Sequence, residues 1–170
     1  MTPIVSIIMG STSDMPVMEA AAKYLNDMQI PFEINALSAH RTPELVADFA
    51  KNAASKGIKV IIAAAGGAAH LPGVIAASTV LPVIGVPIKT TMGMEAWDSM
   101  LSIIQMPPGI PVATVGVNAT QHAAILATQI LAVGDPEIRE KVAAKKASLA
   151  DKITKANEEL KKVKFDYKTN

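Results

Sequence analysis

Cysteine is absent from all 170 residues, which excludes disulfides and thiolate metal sites. Aromatic side chains are nearly as scarce. One Trp, two Tyr and three Phe leave little to stack on a flavin, so cofactor-free chemistry is expected over a flavoprotein. No excess of one charge exists either: a net charge of +1 provides no field for nucleic acid. Although 50% of the residues are hydrophobic, no apolar run reaches the roughly 18 residues that cross a bilayer, because charges, Gly and Pro interrupt every candidate. The opening MTPIVSIIMG has no basic leader or cleavage site and reads as a strand. A cytoplasmic protein with neither membrane nor nucleic-acid partners is expected.

What charge there is sits unevenly. Of the 16 Lys and Arg, only Lys23, Arg41, Lys51, Lys56, Lys59 and Lys89 precede residue 135. A body so short of charge leaves apolar patches in water as a monomer, and such patches mark interfaces. The expectation is a homo-oligomer.

Apolar runs and helical spacings alternate along the chain. PIVSIIMG, PFEINAL, KVIIAAAGG, PVIGVPI and PVATVGV read as five strands. Between them lie helices: TSDMPVMEAAAKYLNDM, with Met15, Met18, Ala22, Leu25 and Met28 on one face, a second opened by Thr42-Pro43-Glu44, then AHLPGVIAAST, MEAWDSMLSII and ATQHAAILATQILAV. Strands apolar throughout, alternating with helices, argue a parallel sheet covered on both faces. The fold class is therefore α/β, a three-layer sandwich with a flavodoxin-like parallel sheet of about five strands. Residues 1–134 form that domain. Residues 135–170 extend it as a long C-terminal helix with an apolar stripe of Val142, Leu149, Ile153, Ala156, Leu160 and Val163. At about 1.5 Å per residue the helix measures roughly 40 Å, against a radius of gyration of about 15 Å for such a domain. It is expected to pack on a neighbouring subunit, the alternative being a solvated helix lying on its own domain.

In an open parallel sheet, ligands bind beyond the carboxyl ends of the strands. Three loops lie there. GSTSD, residues 10–14, combines a glycine turn, the hydroxyls of Ser11, Thr12 and Ser13, and Asp14 at a helix start. Amides and hydroxyls at a helix N-terminus suit a phosphate, and Asp14 suits sugar hydroxyls; a capping turn without a ligand is the alternative. LSAHRTPE, residues 37–44, sets Arg41 beside Ser38, apt for a bidentate grip on phosphate, unless Arg41 serves a surface ion pair. His40, next to Ala39, is the one group in that loop that ordinarily titrates near neutrality, fit to be a general acid and base. AAAGGAAHLPG, residues 63–73, has side chains so small that a ligand can reach its backbone amides; tight subunit packing would use the same residues. His70 reads as a supporting residue. His40, His70 and His122 lack metal-ligand spacing with acids, so no metal is expected.

Together GSTSD, SAHRTP, AAAGGAAHLPG and DSMLSIIQMPPGIPVATV, in this order and spacing, resemble the PurE family of 5-(carboxyamino)imidazole ribonucleotide mutases over residues 4–134. The resemblance implies a homo-octamer with sites at subunit junctions and no metal or organic cofactor. It implies that His40 is the proton carrier and that Ser11, Ser13, Asp14, Ser38, Ala39 and Arg41 hold the ribonucleotide. Gly66, Gly67, Ala68, His70 and Leu71 would surround the migrating carboxyl group. The activity implied is transfer of the carboxyl group from the exocyclic nitrogen to ring carbon 4, in purine biosynthesis and without ATP. The related carboxylases, which use free carbon dioxide, are the alternative; a non-catalytic nucleotide-binding module on the same fold is a third reading. One departure stands out. Where the family carries Ser-Gly before Asp-Ser, this chain has Glu95-Ala96-Trp97 in a slightly longer loop.

Overall fold

Five runs rich in Val, Ile and Ala form the centre of the computed structural model, which describes all residues 1–170. They are β1 (Val5–Met9), β2 (Phe32–Ala36), β3 (Val60–Gly66), β4 (Val83–Ile88) and β5 (Ala113–Thr114). Every pairing is parallel and the strand order is β2-β1-β3-β4-β5, the doubly wound order expected. β1 and β4 are buried at every position, because helices cover both faces.

Alternate residues of each strand feed two cores. Val5, Ile7, Ile62, Ala64, Ile84 and Val86 pack against α1 (Met15–Asp27) and α5 (Thr120–Gly134). Ile8, Ile61, Ala63 and Val83 pack against α2 (Pro43–Asn52), α3 (Leu71–Ala77) and α4 (Trp97–Ile104). The buried face of α1 is Met18, Ala21, Tyr24 and Leu25, with Met28 just beyond its end. Met15 and Ala22, expected on that face, are only half-buried, because the face centres one position away.

Two elements are shorter than their sequence patterns. β5 pairs only Ala113 and Thr114 with Ile84 and Gly85. Pro111 has no amide to donate, and after Thr114 the chain continues by isolated bonds, Val115 N to Gly85 O (3.1 Å) and Asn118 N to Pro87 O (2.9 Å). α4 starts at Trp97 rather than Met94, since Glu95 and Ala96 adopt left-handed conformations, φ 52° and 72°, that no right-handed helix contains.

The last helix, α6 (Pro136–Lys161), begins where the sequence says: Asp135 Oδ1 accepts hydrogen bonds from the amides of Glu137 and Ile138. Arg139 turns back and donates from Nε to Ala132 O and from Nη2 to Val133 O, satisfying carbonyls that α5 leaves open at its C-terminus. The first turns of α6 touch the domain through buried Ile138, half-buried Val142 and Lys141, whose Nζ donates to Gln29 Oε1 (3.3 Å). Leu149, Ile153 and Leu160 are 54%, 65% and 57% exposed, so most of the stripe is not covered by its own domain. No helix is long and apolar enough to cross a membrane.

Candidate active site

The loops after β1, β2 and β3 converge at the carboxyl edge of the sheet on a cleft of about 200 Å³. Ser11, Ser13, Asp14, Ser38, Ala39, His40, Arg41, Gly66, Ala68, His70 and Leu71 line it. Of the loop residues singled out from sequence, Thr12 and Gly67 do not; Gly67, with φ 60°, supplies the left-handed turn that carries the chain toward Ala68.

The loop after β2 is closed by its own hydroxyls. Thr42 N donates to Ser38 O (2.8 Å), Thr42 Oγ1 donates to Ser38 O (3.1 Å) and Ser38 N donates to Thr42 Oγ1 (3.0 Å). Thr42 stands at the N-cap position of α2 but makes no side-chain cap, because its hydroxyl is spent on Ser38. Ser38 to Thr42 are thereby drawn into one turn that presents His40 and Arg41 outward.

Arg41 is held by two of its five N–H groups. Nε donates to Ser38 Oγ at 3.3 Å and Nη2 to Gly10 O at 3.0 Å. The ion pairs of the chain are Lys89–Glu95, Lys141–Glu137 and Lys161–Glu158, none of which includes Arg41. An oriented guanidinium outside these ion pairs, with donors to spare, is suited to hold an anion.

His40 Nε2 lies 2.9 Å from His70 Nδ1, with the rings edge to face and 5.0 Å between centroids. One ring donates and the other accepts, so a single proton links residues from two loops. His70 immediately precedes α3, which fixes its backbone. His122, on α5, does not line the cleft.

In the first loop Ser13 Oγ donates to Ser11 Oγ at 2.9 Å, and Ser11 caps the short turn Thr12–Asp14. Asp14 is half-buried there. Burial raises its carboxyl above the ordinary aspartate value, opposed by hydrogen bonds from the Ser11 and Ser13 segment. Gly66, at the end of β3, has no side chain and so makes room for Thr90, whose Cγ2 lies within 2.3 Å of where a Cβ would be. Thr90 itself lines the cleft. Sequence reading passed it over because its loop carries no glycine-rich or histidine signal; its place two residues beyond β4, at the same sheet edge, is what would have revealed it.

The sequence model of the AIR carboxylase family matches residues 4–152. The N5-carboxyaminoimidazole ribonucleotide mutase of Pyrococcus abyssi is 59% identical over 140 residues, 82% of this chain and 80% of that protein. The enzyme of the same name from Thermotoga maritima is 50% identical over 163 residues, 96% of this chain and 95% of its own length. The crystal structure of Treponema denticola PurE superposes with a TM-score of 0.84 at 32% identity, covering 94% of this chain and 99% of that one.

Proposed function

The chain belongs to the AIR carboxylase family, and from that premise we infer that it converts 5-(carboxyamino)imidazole ribonucleotide into 4-carboxy-5-aminoimidazole ribonucleotide, an ATP-independent isomerisation in purine biosynthesis. The observation that carries this reading is the convergence of His40 and the unneutralised Arg41 on one cleft walled by Gly66 and Ala68. The free guanidinium donors of Arg41, with Ser38 and the Ser11–Ser13 turn, take the phosphate, and Asp14 takes ribose hydroxyls. The reacting ring then lies between His40 and the Gly66–Leu71 loop.

His40 gives its proton to the exocyclic nitrogen. The carbon–nitrogen bond breaks with its electron pair going to nitrogen, and carbon dioxide and aminoimidazole ribonucleotide remain side by side. Ring carbon 4 attacks the carbon dioxide to form the carbon–carbon bond, and His40 takes the proton that this carbon loses. The histidine ends as it began. Holding the two fragments adjacent replaces a bimolecular step with one inside the site, an advantage that in oriented systems reaches an effective molarity of about 10⁵ M or more.

The protein works as a homo-octamer in the cytoplasm, with residues 135–170 reaching a neighbouring subunit. Two features support assembly. A cleft of about 200 Å³ is smaller than the roughly 300 Å³ or more typical of ligand pockets, as expected of a site that a second subunit completes. Met92, Met94, Trp97, Leu101 and Ile104 are all exposed on one chain, and that much apolar surface marks an interface.

The test is the initial rate of product formation from 5-(carboxyamino)imidazole ribonucleotide in bicarbonate-depleted buffer at limiting enzyme. Fast conversion is expected. Turnover of aminoimidazole ribonucleotide only when bicarbonate is supplied would assign the carboxylase reaction instead, and ligand binding without any carboxyl transfer would leave a binding module.

A further inference from the structure

The mutase reaction makes one demand beyond binding and proton transfer: a small, neutral, apolar molecule must stay in the cleft between leaving nitrogen and joining carbon. Charge cannot hold it. A wall can.

The fourth loop of the sheet edge offers one. Gly66 ends β3 directly beside Ile88, the last residue of β4, so Thr90 stands next to Gly66 across the strand ends. The methyl Cγ2 of Thr90 occupies the space in front of Gly66, within 2.3 Å of where a Cβ there would be. Its hydroxyl is directed elsewhere, toward Gly93, where a Cβ would meet Thr90 Oγ1 at 2.8 Å and Asp98 Oδ2 at 2.9 Å. The methyl, not the hydroxyl, therefore packs against Gly66, and both residues line the cleft.

The loop that carries Thr90 is braced on both sides. Before it, Lys89 N donates to Asn118 Oδ1 (3.0 Å), and Asn118 N donates to Pro87 O (2.9 Å). After it, Gly93 N donates back to Thr90 O (3.3 Å), and Lys89 pairs with Glu95 across the turn. The buried Asp98 Oδ1 has no protein partner; it lies behind Gly93 and backs the turn.

We propose that Thr90 is a further residue of the site, whose methyl group walls the Gly66 end of the cleft and retains the carbon dioxide released midway through the reaction. The proposal rests on the decarboxylation and recarboxylation sequence given above. It also assigns the Lys89–Asp98 loop a task, holding that methyl in place.

The experiment follows the carbon. Purified enzyme is given unlabelled 5-(carboxyamino)imidazole ribonucleotide in buffer containing ¹³C-bicarbonate, and two quantities are read: the ¹³C fraction of the 4-carboxylate product and the aminoimidazole ribonucleotide left uncarboxylated. Thr90→Ser removes only the methyl. Both quantities are expected to rise roughly fourfold, the equivalent of about 0.8 kcal/mol for one buried methylene. Thr90→Val keeps the methyl shape and removes the hydroxyl, and its partition is expected to match wild type. Wild-type partition in Thr90→Ser, or an equal leak in both variants, would overturn the wall. The unsubstituted enzyme in bicarbonate-free buffer is the separating control: if it converts substrate, any failure belongs to Thr90 alone, and if it does not, the reaction assignment falls and the wall with it.

Discussion

His40 and His70 lie 30 positions apart and meet through one hydrogen bond. Asparagine keeps hydrogen-bonding capacity near that place but cannot carry a proton, so His40→Asn is expected to lower turnover by about 100-fold or more with little change in KM and an unchanged melting curve. Steady-state kinetics and thermal melting check both halves. Asp14 makes the opposite kind of prediction, because it is poorly placed for stability. Its pKa is raised in the folded chain by burial; its contribution to stability is complete below the ordinary aspartate range and is lost as pH rises through the raised value. At pH 7 the charged carboxylate is a cost, so Asp14→Asn is expected to raise the melting temperature there and to do less at pH 3. On the proposed reading the same change also loses a charged hydrogen bond to the ribose, about 1.5 kcal/mol or more, and is expected to raise KM roughly tenfold. At this scale the sequence was legible where chemistry is rare. His40, Arg41 and the Gly66–Gly67 pair stand out in a charge-poor body. The partners of the two arginines were not: Arg139 donates to carbonyls at the end of α5, while Arg41 donates to Ser38 Oγ and to Gly10 O of another loop and keeps donors free, and nothing in their neighbours along the chain records which partners each will meet.

Among the elements, periodicity identified each strand and helix, and the errors fall where backbone geometry overrides it. Apolar spacing carries the fourth helix back to Met94, yet the left-handed Glu95 and Ala96 postpone it to Trp97. PVATVGV alternates like a strand, but only two of its residues join the ladder. Close approach between elements is equally invisible in the sequence. Gly85, at the middle of β4, is overlain by α4 and the chain before β5: a Cβ there would meet Ile103 Cγ2 at 2.5 Å and Val112 Cγ1 at 2.8 Å. Gly85→Ala is therefore expected to destabilise the fold by about 1–3 kcal/mol, the usual range for overpacking a core, as measured by the shift in urea midpoint at constant slope.

For the whole molecule, α6 is the element whose sequence and position disagree unless other copies are present. A helix of 26 residues is roughly 39 Å long, and beyond Val142 its apolar stripe faces water in a single chain. Replacing Leu149 and Ile153 with Glu is expected to shift the assembly to smaller species in sedimentation velocity, while circular dichroism of the domain stays unchanged. A wild-type chain that sediments as a monomer at micromolar concentration would end the octamer reading. The amino-acid sequence by itself determined the alternation of strands and helices, the parallel sheet and the three loops at its edge, because burial on both faces dictates strand composition and helical spacing of apolar residues marks the helices between. The tertiary structure decided which groups meet: His40 with His70, Arg41 with Gly10, and Thr90 with Gly66. Those encounters follow from the strand order, which lines up the ends of β2, β1, β3 and β4 along one edge, and no local pattern along the chain records which loops will share an edge.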